Sequence, residues 1–219
     1  MDPDYWHQKW ANRQVNFHQP QPNALLVEHL SALALLSGAR ILVPLCGKSL
    51  DIHWLLDQGY HVVGAELSRL AVEELYAELG HSPTLTTTLT PGPLDHFSAP
   101  MLDVFAGDIF HLTSETLGPL APIDAIYDRA ALVALPPDTR TRYAHHLQRL
   151  TRGAPQLLLT FEYDQNTMPG PPFSVPAEEV HRHYAPGYSL TELARQPVPG
   201  GLKGFCPAEE IAWHVGKKF

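Results

Sequence analysis

Residues 41–49 read Ile-Leu-Val-Pro-Leu-Cys-Gly-Lys-Ser, and Glu66 closes the next apolar run. An apolar run into a tight turn, a helix, a second apolar run and a carboxylate is how an α/β protein grips a ligand that carries a nucleoside. The first strand brings the chain to the edge of the sheet, and Gly47 lets the backbone come close to the ligand. The acid after the second strand can accept both hydroxyls of a ribose.

Three ligands compete for this turn. Gly47-Lys48-Ser49 matches the last three residues of a phosphate-binding P-loop. That loop needs a glycine five positions before Gly47, and position 42 is Leu, inside the strand. A dinucleotide site needs three glycines, two of them to admit a pyrophosphate and pack the helix. Pro44, Leu45 and Cys46 precede a single glycine here, so the turn is too bulky. S-adenosylmethionine carries ribose and adenine but no phosphate, and one glycine suffices. Gly107-Asp108-Ile109-Phe110 ends the third strand, where adenine belongs. Ile109 can cover the base while Asp108 offers an acceptor. Taken singly, Asp108 reads as a solvated acid and Ile109 as a core aliphatic. Their place at successive strand ends favours the adenosyl ligand, because ligands of such sheets bind at carboxyl strand ends.

The elements that position these residues follow from patterning and caps. Residues 1–22 hold Trp6, Trp10 and Phe17 among His, Gln and Asn, and predict a short helix and a loop. Asn23 caps a helix reaching Ser37, which Gly38 ends. Residues 40–45 are a strand buried on both faces. Ser49 caps a helix to Gln58, and His61 to Glu66 form strand two. Ser68 begins a helix to Leu79, with Leu67, Ala71, Leu75 and Leu79 four apart. Residues 81–100 read as a Thr- and Pro-rich connection with a strand near 84–89. Strands follow at 101–106, 123–127 and 156–163, with a helix from Asp138 to Leu150 between the last two. The stretch Pro169-Gly170-Pro171-Pro172-Phe173 forbids regular structure. Pro176 opens a helix to Tyr184, and late strands fall near 188–195 and 209–215. Alternating strands and helices predict an α/β fold with a mostly parallel sheet, helices on both faces and a closing antiparallel hairpin. Residues 1–219 read as a single domain.

Composition narrows the partners. The chain has 219 residues, 44% hydrophobic, with 15 basic and 23 acidic side chains and a formal charge of −8. That length supports one buried core, and that charge argues against a nucleic-acid or membrane surface. The only cysteines are Cys46, inside the turn, and Cys206, so a reducing cytoplasm is expected rather than a disulfide framework. The first residues, Met-Asp-Pro-Asp-Tyr-Trp, lack the basic and apolar regions of a secretion signal. Apolar runs are too short to span a membrane. His145-His146 and the pair His181, His183 lack a third ligand in register, so they read as surface histidines and no metal is expected. No Gly-x-Ser-x-Gly elbow is present, which weakens a hydrolase reading.

Several words in family order now identify a relative. Trp6-His7-Gln8-Lys9-Trp10, Phe17-His18-Gln19, Val43-Pro44-Leu45-Cys46-Gly47-Lys48-Ser49, Asp128-Arg129-Ala130-Ala131-Leu132-Val133-Ala134 and Pro169-Gly170-Pro171-Pro172-Phe173-x-Val175-Pro176 resemble thiopurine S-methyltransferases, the bacterial branch above all. The resemblance spans residues 6–176. It implies a class I, Rossmann-like methyltransferase fold of seven strands and S-adenosylmethionine as donor, with S-adenosylhomocysteine left as product. It implies an aromatic or heterocyclic thiol as acceptor and, for bacterial relatives, selenium and tellurium compounds. Carried over, donor contacts fall on Trp10, Leu45, Glu66 and Arg129, with Asp108 and Ile109 near adenine; Phe17 falls beside the acceptor. Ala130 stands where animal members have glycine, residues 90–100 read as an insertion, and the last forty residues, Lys203 included, match weakly.

A sulfonium donor is already electrophilic, so catalysis needs alignment more than a strong base. Aromatic thiols ionise readily near neutral pH, and a cation favours the thiolate further. Arg129 is the candidate, for the methionine carboxylate, the acceptor or both; the alternative is a structural ion pair with Asp128 or another acid. Trp6, Trp10 and Phe17 suit a flap that closes on the sulfonium through their aromatic faces. A monomer acting on small molecules is expected. The rival class is a non-catalytic protein that binds the donor or a thio-compound.

Overall fold

The structure, a computed structural model, describes residues 3–14, 19–88 and 92–218. The chain begins with α1 (Pro3–Ala11), α2 (Ala24–His29), β1 (Arg40–Pro44), α3 (Leu50–Asp57), β2 (His61–Glu66) and α4 (Arg69–Glu78). It continues through β3 (Thr84–Thr88), β4 (Leu94–Ala99), β5 (Leu102–Gly107), the single-turn α5 (Ser114–Leu117), β6 (Ala125–Asp128) and α6 (Pro137–Leu150). It ends with β7 (Gln156–Glu162), α7 (Ala177–Tyr184), β8 (Tyr188–Pro197) and β9 (Glu209–Lys217).

Successive strand residues point to opposite faces of a sheet, and here that alternation sorts the core in two. Leu42, Val63, Phe105, Ile126, Leu158 and Trp213 pack with α6 and α7 through Tyr143, Leu147, Val180 and Tyr184. Their neighbours Ile41, Val43, Val62, Val104, Tyr127 and Leu157 pack with α2, α3 and α4 through Leu26, Ile52, Leu55, Val72 and Leu75. Helices therefore cover both faces, as expected of strands that are apolar on each side.

One sheet carries nine strands in the order β3-β4-β5-β2-β1-β6-β7-β9-β8. The seven strands that the family resemblance implies form the continuous stretch from β5 to β8. Its centre is parallel, with Leu42 opposite Val63 between β1 and β2, and β9 runs antiparallel to both β7 and β8. At its other edge the sheet continues with β3, the strand expected near 84–89, and it departs from expectation in β4, which pairs antiparallel with both β3 and β5. The sheet is thus parallel only in its five central strands. β4 falls in the stretch that reads in sequence as a Thr- and Pro-rich connection. Tertiary bonds override that weak propensity: the His96 and His61 rings each meet one oxygen of buried Asp103 at 2.7 Å. Those bonds hold the Asp103 carboxyl well below the usual carboxylate range against the opposing effect of burial.

The expected helix from Asn23 to Ser37 is also shorter. Asn23 does cap it, accepting the Leu25 N–H at 2.9 Å, but a 3₁₀ turn over Leu30–Leu33 follows, and Ala34 turns left-handed with φ 48°. The exposed Leu36 lies beyond that turn. Ser49 and Ser68 cap α3 and α4 as expected, and Gly59 and Gly80 follow those helices with positive φ. Among the described residues no helix is long and apolar enough to cross a membrane.

Candidate functional site

Strand order reverses between β1 and β6, since β2 lies on one side of β1 and the later strands lie on the other. Such a switch point leaves a crevice at the carboxyl ends of the strands. Beside it, on the β2 side, Leu45, Ala65, Glu66, Leu67, Gly107 and Ile109 line a narrow crevice at the carboxyl ends of the strands. These residues come from the ends of β1, β2 and β5, the three strands whose termini the sequence singled out. A wider open hollow runs along α6 from Asp138 to Arg149 and shares no residue with this crevice.

The turn after β1 is built tightly. Leu45 and Gly47 both have left-handed backbones, φ 49° and 52°. For a leucine that conformation costs roughly 1–2 kcal/mol, and the surroundings hold it. The Cys46 N–H bonds the Ala65 carbonyl at 3.1 Å, and the Ser49 N–H bonds the Cys46 carbonyl at 3.3 Å. Gly64 makes room for this turn. A Cβ there would lie 3.0 Å from the Cys46 Sγ and 3.1 Å from Val104, tighter than most real contacts. Cys46 is buried, and burial together with the Glu66 charge pushes its thiol pKa up, so it packs as an apolar group and is no nucleophile.

Glu66 is the hinge of the crevice. Its Oε2 accepts the Gly47 N–H at 2.8 Å and its Oε1 accepts the Ser68 N–H at 2.8 Å. One carboxylate thus ties the turn after β1 to the cap of α4. Only 6% of the residue is exposed. Burial raises its pKa, while the backbone N–H groups of Ser68, Gly47 and Leu67 pull the other way. Each carboxylate oxygen has two acceptor sites, and one on each is filled by backbone. The remaining two suit a vicinal diol, so this cradle fits the adenosyl group. Lys48, which follows Gly47, is turned away to Glu74 and Glu78 on α4 at 2.8 and 2.6 Å.

At the end of β5, Ile109 is buried and Asp108 caps a short 3₁₀ turn by accepting the Phe110 N–H at 3.0 Å. Gly107 is required by close approach: at φ 144° a Cβ would stand 2.7 Å from the Pro93 carbonyl. His146 packs its ring edge-on to Phe110, 5.4 Å between centroids.

Arg129 follows β6 directly. Its Nη1 lies 3.7 Å from the Asp51 Oδ2, and its side chain is 13% exposed. The separation exceeds a hydrogen bond, and among the described residues no hydrogen bond from the guanidinium is formed. Its acidic neighbour is therefore Asp51, not the adjoining Asp128. Asp128 is fully buried and accepts the Leu132 N–H and the Tyr143 hydroxyl at 3.1 and 2.7 Å. Ala130, next along, is left-handed with φ 62°. A glycine would sit there without strain, which is the physical content of the Gly-to-Ala difference noted in the sequence.

The aromatic arm is placed in part. α1 packs against α4, the helix that starts beside Glu66; Trp10 is buried and Trp6 half-buried, its ring 5.2 Å edge-on from Tyr5. Phe17 lies outside the described residues. The structure thus brings Leu45, Glu66 and Ile109 to one crevice, with Gly47 bonded to the Glu66 carboxylate, Asp108 next to Ile109 in the chain and Arg129 across the switch point. Asp51 and Tyr127 went unnoticed in the sequence. A helix-start acid and a strand tyrosine carry no signal of burial. Of the four histidines expected at the surface, His145 and His181 are exposed but His146 and His183 are buried. Among the described residues no three His, Cys, Asp or Glu side chains are arranged to hold a metal ion.

A family model described as thiopurine S-methyltransferase (TPMT) matches residues 1–201. A thiopurine S-methyltransferase of Xanthobacter autotrophicus is 56% identical over 214 residues, 97% of this chain and 98% of the relative. One from Gluconobacter oxydans is 48% identical, with 95% and 92% of the two chains covered. Among solved structures, Burkholderia thailandensis 1,6-didemethyltoxoflavin-N1-methyltransferase, with 1,6-didemethyltoxoflavin and S-adenosylhomocysteine bound, superposes with a TM-score of 0.65 at 17% identity, covering 98% of this chain and 87% of that one. Magnesium protoporphyrin IX methyltransferase from Synechocystis, with S-adenosylhomocysteine bound, gives 0.64 at 16% identity, covering 98% of each. At those identities the likeness concerns the fold, which is that of class I methyltransferases.

Proposed function

This chain belongs to the thiopurine S-methyltransferase family, and on that premise we propose that it moves the methyl group of S-adenosylmethionine to the sulfur of an aromatic or heterocyclic thiol. Methylation dependent on S-adenosylmethionine follows from the family and the fold. The thiol acceptor, thiopurines among them, is our reading, as is an extension to selenium and tellurium compounds. The observation that carries it is the Glu66 carboxylate, held by the Gly47 and Ser68 N–H groups at the mouth of β1 and β2 and facing Ile109 across the crevice.

In this reading Glu66 accepts the ribose hydroxyls, Leu45 and Gly47 shape the turn against the donor, and Ile109 and Asp108 border adenine. Bound there, S-adenosylmethionine supplies an electrophilic methyl group on a sulfonium. The protein's share is then placement and exclusion of water. Trp10 and Trp6 on α1 serve as the inner face of a flap over the donor, and Phe17 keeps the acceptor-side role that the family resemblance gives it. Arg129 offers N–H groups that make no hydrogen bond among the described residues and a permanent positive charge, which favours an acceptor in its thiolate form or holds the donor's carboxylate. A dedicated base is unnecessary for a thiol that ionises near neutral pH, and no metal is invoked. Residues 1–219 act as one domain and as a monomer, with small molecules as partners. The charge of −8 supports the absence of nucleic acid, and two unpaired, buried cysteines support a cytoplasmic setting.

The test is incubation with S-adenosylmethionine and a panel of thiopurines, thiophenols and selenite, read by mass spectrometry. The expected result is a gain of one methyl on the sulfur of at least one aromatic thiol. Tight retention of the donor with every acceptor unmodified would instead make the chain a binding protein.

A further inference from the structure

We propose that Asp51 is a positioning residue for Arg129: it draws the guanidinium toward the mouth of the sheet by charge, without taking up its N–H groups. The inference rests on the role given to Arg129 above and extends it to a buried acid.

Asp51 stands in the first turn of α3, two residues after the capping Ser49, and is 2% exposed. Both of its oxygens are already committed. Oδ1 accepts the Asn23 backbone N–H at 2.7 Å, and Oδ2 accepts the Tyr127 hydroxyl at 2.9 Å. Tyr127 lies on β6, two residues before Arg129. These two contacts therefore join α3, the start of α2 and the end of β6 at one carboxylate.

A buried arginine and a free aspartate normally close into a two-pronged, hydrogen-bonded pair. Here the approach stops at 3.7 Å. Tyr127 and Asn23 hold the carboxylate plane, so Asp51 cannot turn to meet the fork of the guanidinium. Attraction between opposite charges survives at that distance, and it is strong in a poorly solvated site. The result is a guanidinium pulled to one side with its donors unspent. Those donors are what an incoming carboxylate or thiolate needs. A merely structural ion pair would have spent them, and a merely helix-stabilising acid in the first turn of α3 would be exposed to water. Asn23 also donates its side-chain amide to Glu210 on β9 at 3.0 Å, which pins its backbone N–H in place for Asp51.

The test is a double-mutant cycle on the full chain with Asp51→Asn, Arg129→Gln and the pair. It is read as kcat/KM for a methylated thiol and as the dissociation constant of S-adenosylhomocysteine by calorimetry. Asp51→Asn keeps the shape and removes the charge. We expect it to cost about tenfold in at least one readout when Arg129 is present, and less than about twofold in the Arg129→Gln background. Equal losses in both backgrounds, or no loss in either readout, would overturn the proposal. Should Asp51→Asn fail to fold, Tyr127→Phe takes its place in the cycle. Freeing Oδ2 lets it capture Nη1, so this variant loses activity or affinity only where Arg129 remains. The calorimetric arm needs no acceptor. If no thiol is methylated, the acceptor assignment falls while the Asp51–Arg129 coupling is still decided by ligand affinity.

Discussion

Replacing Glu66 by Gln separates a structural carboxylate from a ligand-binding one. In the free protein the two oxygens each receive one backbone N–H, from Gly47 and from Ser68. A glutamine keeps one acceptor and turns an NH₂ toward the other donor. One buried N–H is then unsatisfied, at a cost of about 1–3 kcal/mol. For a chain of this size that is a drop in melting temperature of roughly 2–4 °C per kcal/mol. The ligand adds a second loss. Two ribose hydroxyls that bond an ionised carboxylate in the wild type meet a neutral amide in the variant. Hydrogen bonds to charged groups are worth about 1.5–3 kcal/mol, so S-adenosylhomocysteine should bind roughly ten- to a hundredfold more weakly by calorimetry. Proton linkage gives an independent signature. Burial raises the Glu66 pKa above its ordinary 4.5. The folded free protein therefore holds this proton more tightly than the unfolded chain does. Glu66 contributes stability that is present below 4.5 and is lost as pH rises through the raised value. Ligand affinity must run the opposite way, because hydroxyl donors favour the ionised form: it weakens as pH falls through the raised value toward 4.5. The Gln variant should lose both trends. Affinity within about twofold of wild type, with the pH dependence intact, would refute the assignment of the sugar to this acid.

Four further outcomes follow from single contacts. Ala130→Gly relieves a left-handed alanine at φ 62° and should raise stability by about 1 kcal/mol in urea unfolding. Asp128, pushed up to about 6 from 3.8 by burial, contributes stability that is present below 3.8 and lost as pH rises through about 6. Asp128→Asn should therefore gain on the wild type across that window in melting scans at stepped pH, and parallel curves would contradict it. Arg140 is 1% exposed, meets both Glu179 oxygens at 2.8 Å and the Leu135 carbonyl at 2.8 Å, and lies over the Phe173 ring. Arg140→Met leaves half-buried Glu179 with His183 alone, at 3.2 Å, and should cost about 3 kcal/mol, against under about 1 kcal/mol if the pair is idle. Trp10→Ala should raise the donor KM about tenfold if the arm closes on the sulfonium, and an unchanged KM would remove the flap from the mechanism.

The parts of this fold that were legible are those with local causes. Asn23, Ser49 and Ser68 mark helix starts because a side-chain oxygen must meet a free N–H wherever the helix lies. β1, β2 and β7 read correctly because a strand covered on both faces has no polar alternative. The failures have distant causes. β4 exists because Asp103 holds His96, and Asp103 sits on another strand. The helix after Asn23 stops at His29 and its 3₁₀ continuation at Ala34, where leucines on either side promise continuation. In the site, Gly47 and Glu66 were visible as residue types, whereas the left-handed leucine at 45 was not, since no leucine advertises a positive φ. Asp51 was hidden for the same reason as Tyr127: burial belongs to the assembled core, and neither residue type reveals it.

The two left-handed, non-glycine residues near the site occupy matching places. Leu45 follows β1 and Ala130 lies just beyond β6 and Arg129, and these neighbouring strands bound the switch point. Strain of this kind persists only where surrounding contacts over-determine the backbone. At Leu45 the contacts are the Cys46–Ala65 and Gly47–Glu66 bonds; at Ala130 they are the Leu132–Asp128 bond and the buried Tyr143 beneath it. The two sites differ in what the side chain does. Leu45 lines the crevice, so glycine there would relax the backbone and also remove a wall. Ala130 lines nothing in the crevice, so glycine there relaxes the backbone alone. Stability and ligand affinity should therefore separate: both variants gain in stability or hold it, but only the change at Leu45 weakens the hold on the ligand. That separation would make strain at the first turn a consequence of shaping the crevice.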